Sequence, residues 1–191
     1  MKTLQLIVLT FLSITIFSCK GKKDQENTTE TVKVEKKEEQ ETKTLEIALE
    51  PKSDSKAHGK IVFTESDGMV TMVANLTGLS EGEHAIHIHE KADCSSPDGK
   101  STGGHWNPTM EPHGKWGAKE GYHKGDIGNF KADVNGNGNI TFATNDWCID
   151  CDDPKKNIVG KAIIVHQGVD DFKSQPSGAA GSRISCGAII Q

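Results

Sequence analysis

The chain has 191 residues, enough for about one domain, with 34% hydrophobic and 26% charged residues. Its formal net charge of -5 argues against a nucleic-acid partner, which calls for a basic balance. Twenty glycines and sparse leucine point to short strands and turns rather than a helical bundle.

Lys2 precedes an apolar run from Leu4 to Phe17, too short to span a membrane comfortably, which reads as an export signal. The run ends in Ile16-Phe17-Ser18-Cys19, which resembles the lipobox of bacterial lipoproteins, although Phe17 is bulkier than the usual occupant. On that reading residues 1–18 are removed and Cys19 carries a lipid, so one partner is a bacterial membrane. The domain would then face the periplasm or the outside, and the alternative is an ordinary secretory signal. Residues 20–44 hold 14 charged side chains, seven of each sign, among 25. Such a segment buries too little apolar surface to offset its ordering entropy, so it reads as a disordered tether. A solvated helix laced with Glu–Lys pairs is the alternative.

The folded part is expected over 45–191. Leu45–Leu49 alternates in polarity, and Lys60–Thr64 and Met69–Leu76 follow, separated by the turn signal Ser66-Asp67-Gly68. Ala85–His89 alternates again. Gly128–Val134 and Ile140–Ala143 flank Asn135-Gly136-Asn137-Gly138 as a hairpin. Val159–His166 and Ile184–Ile190 complete about eight strands. The spacing predicts an all-β, antiparallel Greek-key barrel or sandwich. Two long connections, 90–124 and 167–183, break the rhythm, and loops of such length are usually functional.

Eight histidines are present, six of them between His84 and His123. In His87-Ile88-His89 the two imidazoles share one face of a strand while Ile88 points to the other. Alone, such a pair occurs by chance on surface strands. Here His105, His113, His123, Asp126 and His166 accompany it. Imidazole suits zinc and copper, and one carboxylate among imidazoles is ordinary for zinc. Two adjacent four-coordinate ions sharing one ligand need seven residues, which is the number available.

The motifs GEHAIHIHE, GGHWNP, HGKWG, YHKGDIGN, IVHQGVDD and GAAGSRISCGAI together resemble the copper–zinc superoxide dismutase family over roughly 58–191. The resemblance implies one copper and one zinc ion per subunit and disproportionation of superoxide to oxygen and hydrogen peroxide. It gives His87, His89, His105 and His166 to copper, and His105, His113, His123 and Asp126 to zinc, with His105 shared. His105 would also take and deliver a proton. Asp170 matches the aspartate linking a copper-side to a zinc-side imidazole, and Arg183 the arginine that attracts the anionic substrate. Cys94 and Cys186 match the family disulfide, and His84 a buried structural histidine. Zinc cannot change oxidation state, so the all-imidazole site is the expected catalytic one. The resemblance allows a homodimer, although exported bacterial members do not all pair through the surface the eukaryotic ones use.

Lys115, Lys119, Lys124 and Lys173 lie in or beside the long loops, as substrate-steering charges or as solvated ones. His58 reads as a surface residue at a strand start. Cys148 and Cys151 form a C-x-x-C that departs from the family pattern; redox activity, metal binding and a short local disulfide are all open, with the last favoured. Competing functions are a non-catalytic copper- or zinc-binding envelope protein of the same fold, a copper-only dismutase and an adhesive lipoprotein. The full ligand set and Arg183 weigh against each.

Overall fold

The computed structural model describes residues 41–191, so the expected signal 1–18, the lipidated Cys19 and the tether up to residue 40 lie outside the described residues. The strands are β1 (Lys43–Pro51), β2 (His58–Ser66), β3 (Met69–Thr77), β4 (Gly82–His89), β5 (Gly128–Ala132), β6 (Gly138–Thr144), β7 (Ala162–His166) and β8 (Arg183–Ala188). They close into an antiparallel barrel in the order β1-β2-β3-β6-β5-β4-β7-β8, with β1 meeting β8 through Glu50 opposite Cys186 and Pro51 opposite Ser185. Closure leaves no unpaired edge along the sheet.

Alternation places the core. Val70, Met72, Ala74 and Leu76 of β3 point inward with Ile61 and Phe63 of β2, while Met69 and Val73 stay exposed. The β2–β3 hairpin turns on Asp67 and Gly68, both at positive φ (52° and 72°), the two-residue turn whose twist matches its strands. β5 and β6 share one pair, Ala132 with Gly138, and Asp133 closes their connection by accepting the N–H groups of Asn135 and Asn137 on Oδ1.

The first strand begins at Lys43, two residues inside the stretch read as tether. Lys43 and Thr44 pair with Glu65 and Thr64, and the Lys43 ammonium donates to the Ile149 carbonyl at 2.8 Å. Their polarity hid a strand end held by backbone bonds and one cross-barrel contact. A third long connection, 145–161, also separates β6 from β7.

β4 differs from an ordinary barrel strand because both its faces are covered. Ile86 and Ile88 enter the core, and His87 and His89 point outward yet are fully buried beneath the long connections. Ile88 donates to the Gly125 carbonyl (2.9 Å) and accepts from Trp106 (2.8 Å), while Gly125 donates to Trp106 (3.0 Å). This places the segments bearing His105 and Asp126 against the strand bearing His87 and His89. A Cβ on Gly125 would sit 2.2 Å from the Ile88 carbonyl oxygen, so the approach needs glycine.

Candidate metal centre

Cys94 and Cys186 are disulfide-bonded with Cα atoms 5.9 Å apart and 92 residues of separation. A closed loop of that length is worth about 4–5 kcal/mol in the chain-entropy account. It fastens the 90–127 connection to β8, where Arg183 donates through Nη1 to the Gly99 carbonyl (2.9 Å) and Thr102 Oγ1 (3.0 Å). These acceptors hold the guanidinium beside an open cleft of about 620 Å³ lined also by His89, His105, His123 and His166.

The seven residues singled out as ligands come together in two groups. His87, His89, His105 and His166 form one; His105, His113, His123 and Asp126 form the other, each with its potential ligand atoms within 4.8 Å of one another. All are buried, and His105 belongs to both. The His87 and His105 rings lie 4.0 Å apart between centroids, and the Asp126 Oδ1 accepts from His105 Nδ1 at 2.9 Å.

Four of the outer nitrogens are engaged in ways that set the tautomers. His87 Nε2 donates to Asp170 Oδ2 (2.8 Å) and His113 Nε2 to Asp170 Oδ1 (2.9 Å), so one carboxylate links the groups. His89 Nδ1 donates to the Gly103 carbonyl (3.0 Å) and His166 Nδ1 to that of Gly181 (3.3 Å). This leaves His87 Nδ1, His89 Nε2, His105 Nε2, His113 Nδ1, His123 Nδ1 and His166 Nε2 buried with no hydrogen-bond partner. Each such atom costs about 1–3 kcal/mol if nothing meets it. Six converging lone pairs, four of them on rings whose outer N–H is tied down, are therefore cation sites, and four imidazoles beside three imidazoles and a carboxylate fit copper and zinc.

Electrostatics agree. Burial first, then neighbouring imidazoles and Arg183, push His89 and His166 well below the ordinary histidine range. Burial lowers His105 to about 4 against the pull of Asp126. These rings are neutral at neutral pH, the form that ligates. Burial would raise Asp126, but the His105, His113 and His123 imidazoles gathered around it hold it far below the usual carboxylate range. Burial also opposes the charge on His113, yet Asp126 and Asp170 on either side raise it to about 9. The pair of carboxylates that retains a proton there can retain a dication in its place.

His84 is buried at the barrel end, its Nδ1 donating to the His166 carbonyl (2.9 Å) and its Nε2 facing Ser80. His58 opens β2 at the surface, 3.1 Å from Thr77 Oγ1. Cys148 and Cys151 form a local disulfide. None of Lys115, Lys119, Lys124 or Lys173 lines the cleft; its cations are Arg183 and Lys100, the latter paired with Asp98 at 2.9 Å.

Lys100 had no signal in spacing, nor did two amide clamps. Gln175 brackets His113, accepting its N–H (2.9 Å) and donating to its carbonyl (2.8 Å). Asn129 does the same to Asp170 (2.8 and 2.9 Å). These partners are 62 and 41 residues distant, beyond any local pattern.

The sequence profile of the family described as "Copper/zinc superoxide dismutase (SODC)" matches residues 57–189. Among curated proteins, "Superoxide dismutase [Cu-Zn] 2" of Aquifex aeolicus (strain VF5) is 36% identical over 152 residues, 71% of this chain and 87% of that protein. "Superoxide dismutase [Cu-Zn] 1" of the same organism is 36% identical over 136 residues, 69% and 79%. Among solved structures, a double mutant of an SOD-like protein from Bacillus subtilis superposes with a TM-score of 0.69 at 33% identity, covering 76% of this chain and 97% of that one. The SOD-like protein itself gives 0.68 at 31%, with the same coverage.

Proposed function

The chain belongs to the copper/zinc superoxide dismutase family, and from that membership we propose how its residues divide the work of a superoxide dismutase that uses copper and zinc. His87, His89, His105 and His166 hold copper; His105, His113, His123 and Asp126 hold zinc; His105 bridges the two. The observation that carries this reading is the set of six unpartnered imidazole nitrogens, split between two groups that share His105 beside an arginine-bearing cleft.

Copper supplies the one-electron redox couple that oxidises one superoxide to oxygen and reduces the next to peroxide. The protein's residues do the rest. Arg183 is placed to hold the anion: the Gly99 carbonyl and the Thr102 hydroxyl fix its Nη1, and its other N–H groups make no hydrogen bond among the described residues. His105 lines the cleft with its Nε2 unpartnered, so it can hold a proton there and pass it to a reduced substrate. His105 Nδ1 and Asp126 Oδ1, 2.9 Å apart, would both be offered to zinc, which would keep the ring oriented while that proton comes and goes. Asp170 fixes the rings of His87 and His113 together, so the two metal sites keep one spacing.

Purified protein is expected to contain both metals and to consume superoxide, and full consumption without bound copper overturns the assignment. In Arg183→Met the copper content and visible spectrum should be unchanged, while the rate falls by about tenfold and loses part of its dependence on ionic strength. An unaltered rate removes Arg183 from the substrate path.

The same reading extends to location. The apolar run Leu4–Phe17, the Ser18-Cys19 pair and the charged stretch after it support a lipid-anchored protein of the cell envelope. Protease treatment of intact cells tests which side the domain faces; resistance in both intact cells and opened periplasm argues against an envelope location.

A further inference from the structure

The Cys148–Cys151 disulfide lies in the β6–β7 connection and lines no part of the cleft. Its neighbours lead to the zinc-side ligands. Trp147 is buried, packed against Phe142 and Trp116 with centroids 5.0 and 5.9 Å away. Its Nε1–H donates to the Lys124 carbonyl at 2.8 Å. The adjacent Asp146 accepts on Oδ2 from the Lys124 ammonium (2.6 Å) and the Tyr122 hydroxyl (3.3 Å). Asp146 and Trp147 thus grip the residues on both sides of His123.

His123 and Asp126 form one tight turn. The His123 N–H donates to Asp126 Oδ2 (2.8 Å), the Asp126 N–H to the His123 carbonyl (3.1 Å), and His123 Nδ1 lies 3.3 Å from Asp126 Oδ1. One end of the turn is held at Gly125 by Ile88 and Trp106. The other end is held by Asp146 and Trp147.

The disulfide closes on the next residue after Trp147. Cys148 pairs with Asn157, donating to the Lys156 carbonyl (2.9 Å) and accepting from Ile158 (3.1 Å). Ile149 is buried, its N–H donates to Glu65 Oε2 (2.9 Å), and its carbonyl receives the Lys43 ammonium. Cys151 is half-buried, and the Asn157 amide donates to its carbonyl at 2.9 Å. The disulfide therefore closes a short loop that is hydrogen-bonded through Ile149 to β1 and β2 and that begins directly after the two side chains holding the ligand turn.

We propose that Trp147 and the Cys148–Cys151 disulfide form a redox-sensitive brace that positions the His123–Asp126 turn, so that reducing this bond loosens the metal held by His105, His113, His123 and Asp126. The inference rests on the metal assignment above. The reductant is a dithiol. Its thiolate attacks the more exposed Cys151 sulfur, Cys148 leaves as thiolate and is protonated, and the second thiol of the dithiol resolves the mixed disulfide. Two electrons and two protons pass to the loop, and the dithiol becomes a disulfide. Trp147 is a positioning residue that acts through the Lys124 carbonyl and touches no metal ligand in the four-imidazole group. His87, His89 and His166 sit on β4 and β7, and their outer nitrogens are held by Asp170, Gly103 and Gly181, none of them in this loop.

The test is metal release from the full-length protein loaded with copper and with cobalt(II) in place of zinc. Cobalt loss to a chelator is followed by its visible bands, and copper loss by its own, at a temperature where circular dichroism shows every variant folded. In Cys148→Ser/Cys151→Ser cobalt release should accelerate by about tenfold with copper release unchanged. Trp147→Phe, which keeps the ring and the disulfide but removes the N–H, should do the same, so the two variants reach one result by separate routes. Unchanged cobalt release in both variants overturns the brace. Equal acceleration of both metals overturns it too, since that marks general loosening. A parent protein that shows no four-coordinate cobalt spectrum instead overturns the metal assignment, a failure distinct from that of the brace.

Discussion

His89→Ala is expected to abolish superoxide consumption, lowering the rate by more than about a hundredfold, beyond what losing an outer partner of a ligand costs. Copper content should fall with it. His89 offers Nε2 to the four-imidazole group, and its Nδ1 bond to the Gly103 carbonyl fixes that orientation. Alanine leaves three imidazoles in that group, so copper would be held by an incomplete set. The barrel should survive, because β4 buries Ile86 and Ile88 on its opposite face. Circular dichroism checks the fold, elemental analysis the copper, and a superoxide assay the rate. Retained activity with retained copper would mean the residues of this group have been misassigned.

Removing both metals should produce the largest loss of stability. An ion present at a thousandfold excess over its dissociation constant stabilises the native state by about 4 kcal/mol, so two contribute about 8 kcal/mol. For a domain of this size each kcal/mol moves the melting temperature by about 2–4 °C, giving a fall of roughly 16–32 °C on full chelation. The sign follows from the geometry. The convergent nitrogens exist in the folded barrel, so the ions bind it in preference to the open chain. Stripping them leaves six imidazole nitrogens buried without partners. Scanning calorimetry before chelation, after it and after zinc is returned measures the effect, and zinc alone should restore part of the loss. A melting temperature indifferent to chelation contradicts the ligand reading.

Much of this centre was legible along the chain because its chemistry is local. His87 and His89 are two residues apart on a strand, and a strand puts such residues on one face whatever surrounds it. The alternation of Val70, Met72, Ala74 and Leu76 announced β3 for the same reason. The Asp67-Gly68 turn was visible because few residue pairs accept positive φ. Elsewhere the local pattern misled or was silent. Lys43 and Thr44 look like tether but pair with β2. The four loop lysines left steering and solvation equally open, and spacing gave no sign that the loop path brings Lys100 to the cleft. The C-x-x-C pair gave no hint that the tryptophan before it reaches the carbonyl between two metal-ligand residues.

The division has a physical basis. Residue type and spacing dictate which side chains share a face and that seven of them are competent ligands, since both depend on backbone periodicity and donor chemistry alone. Which nitrogen each imidazole presents depends on what lies against its other nitrogen. That neighbour is Gly103 for His89, 14 residues on, and Asp170 for His87, 83 residues on. Such contacts exist once the barrel has closed and its long connections have folded back over β4, because a ring can turn freely until packing and a hydrogen bond stop it.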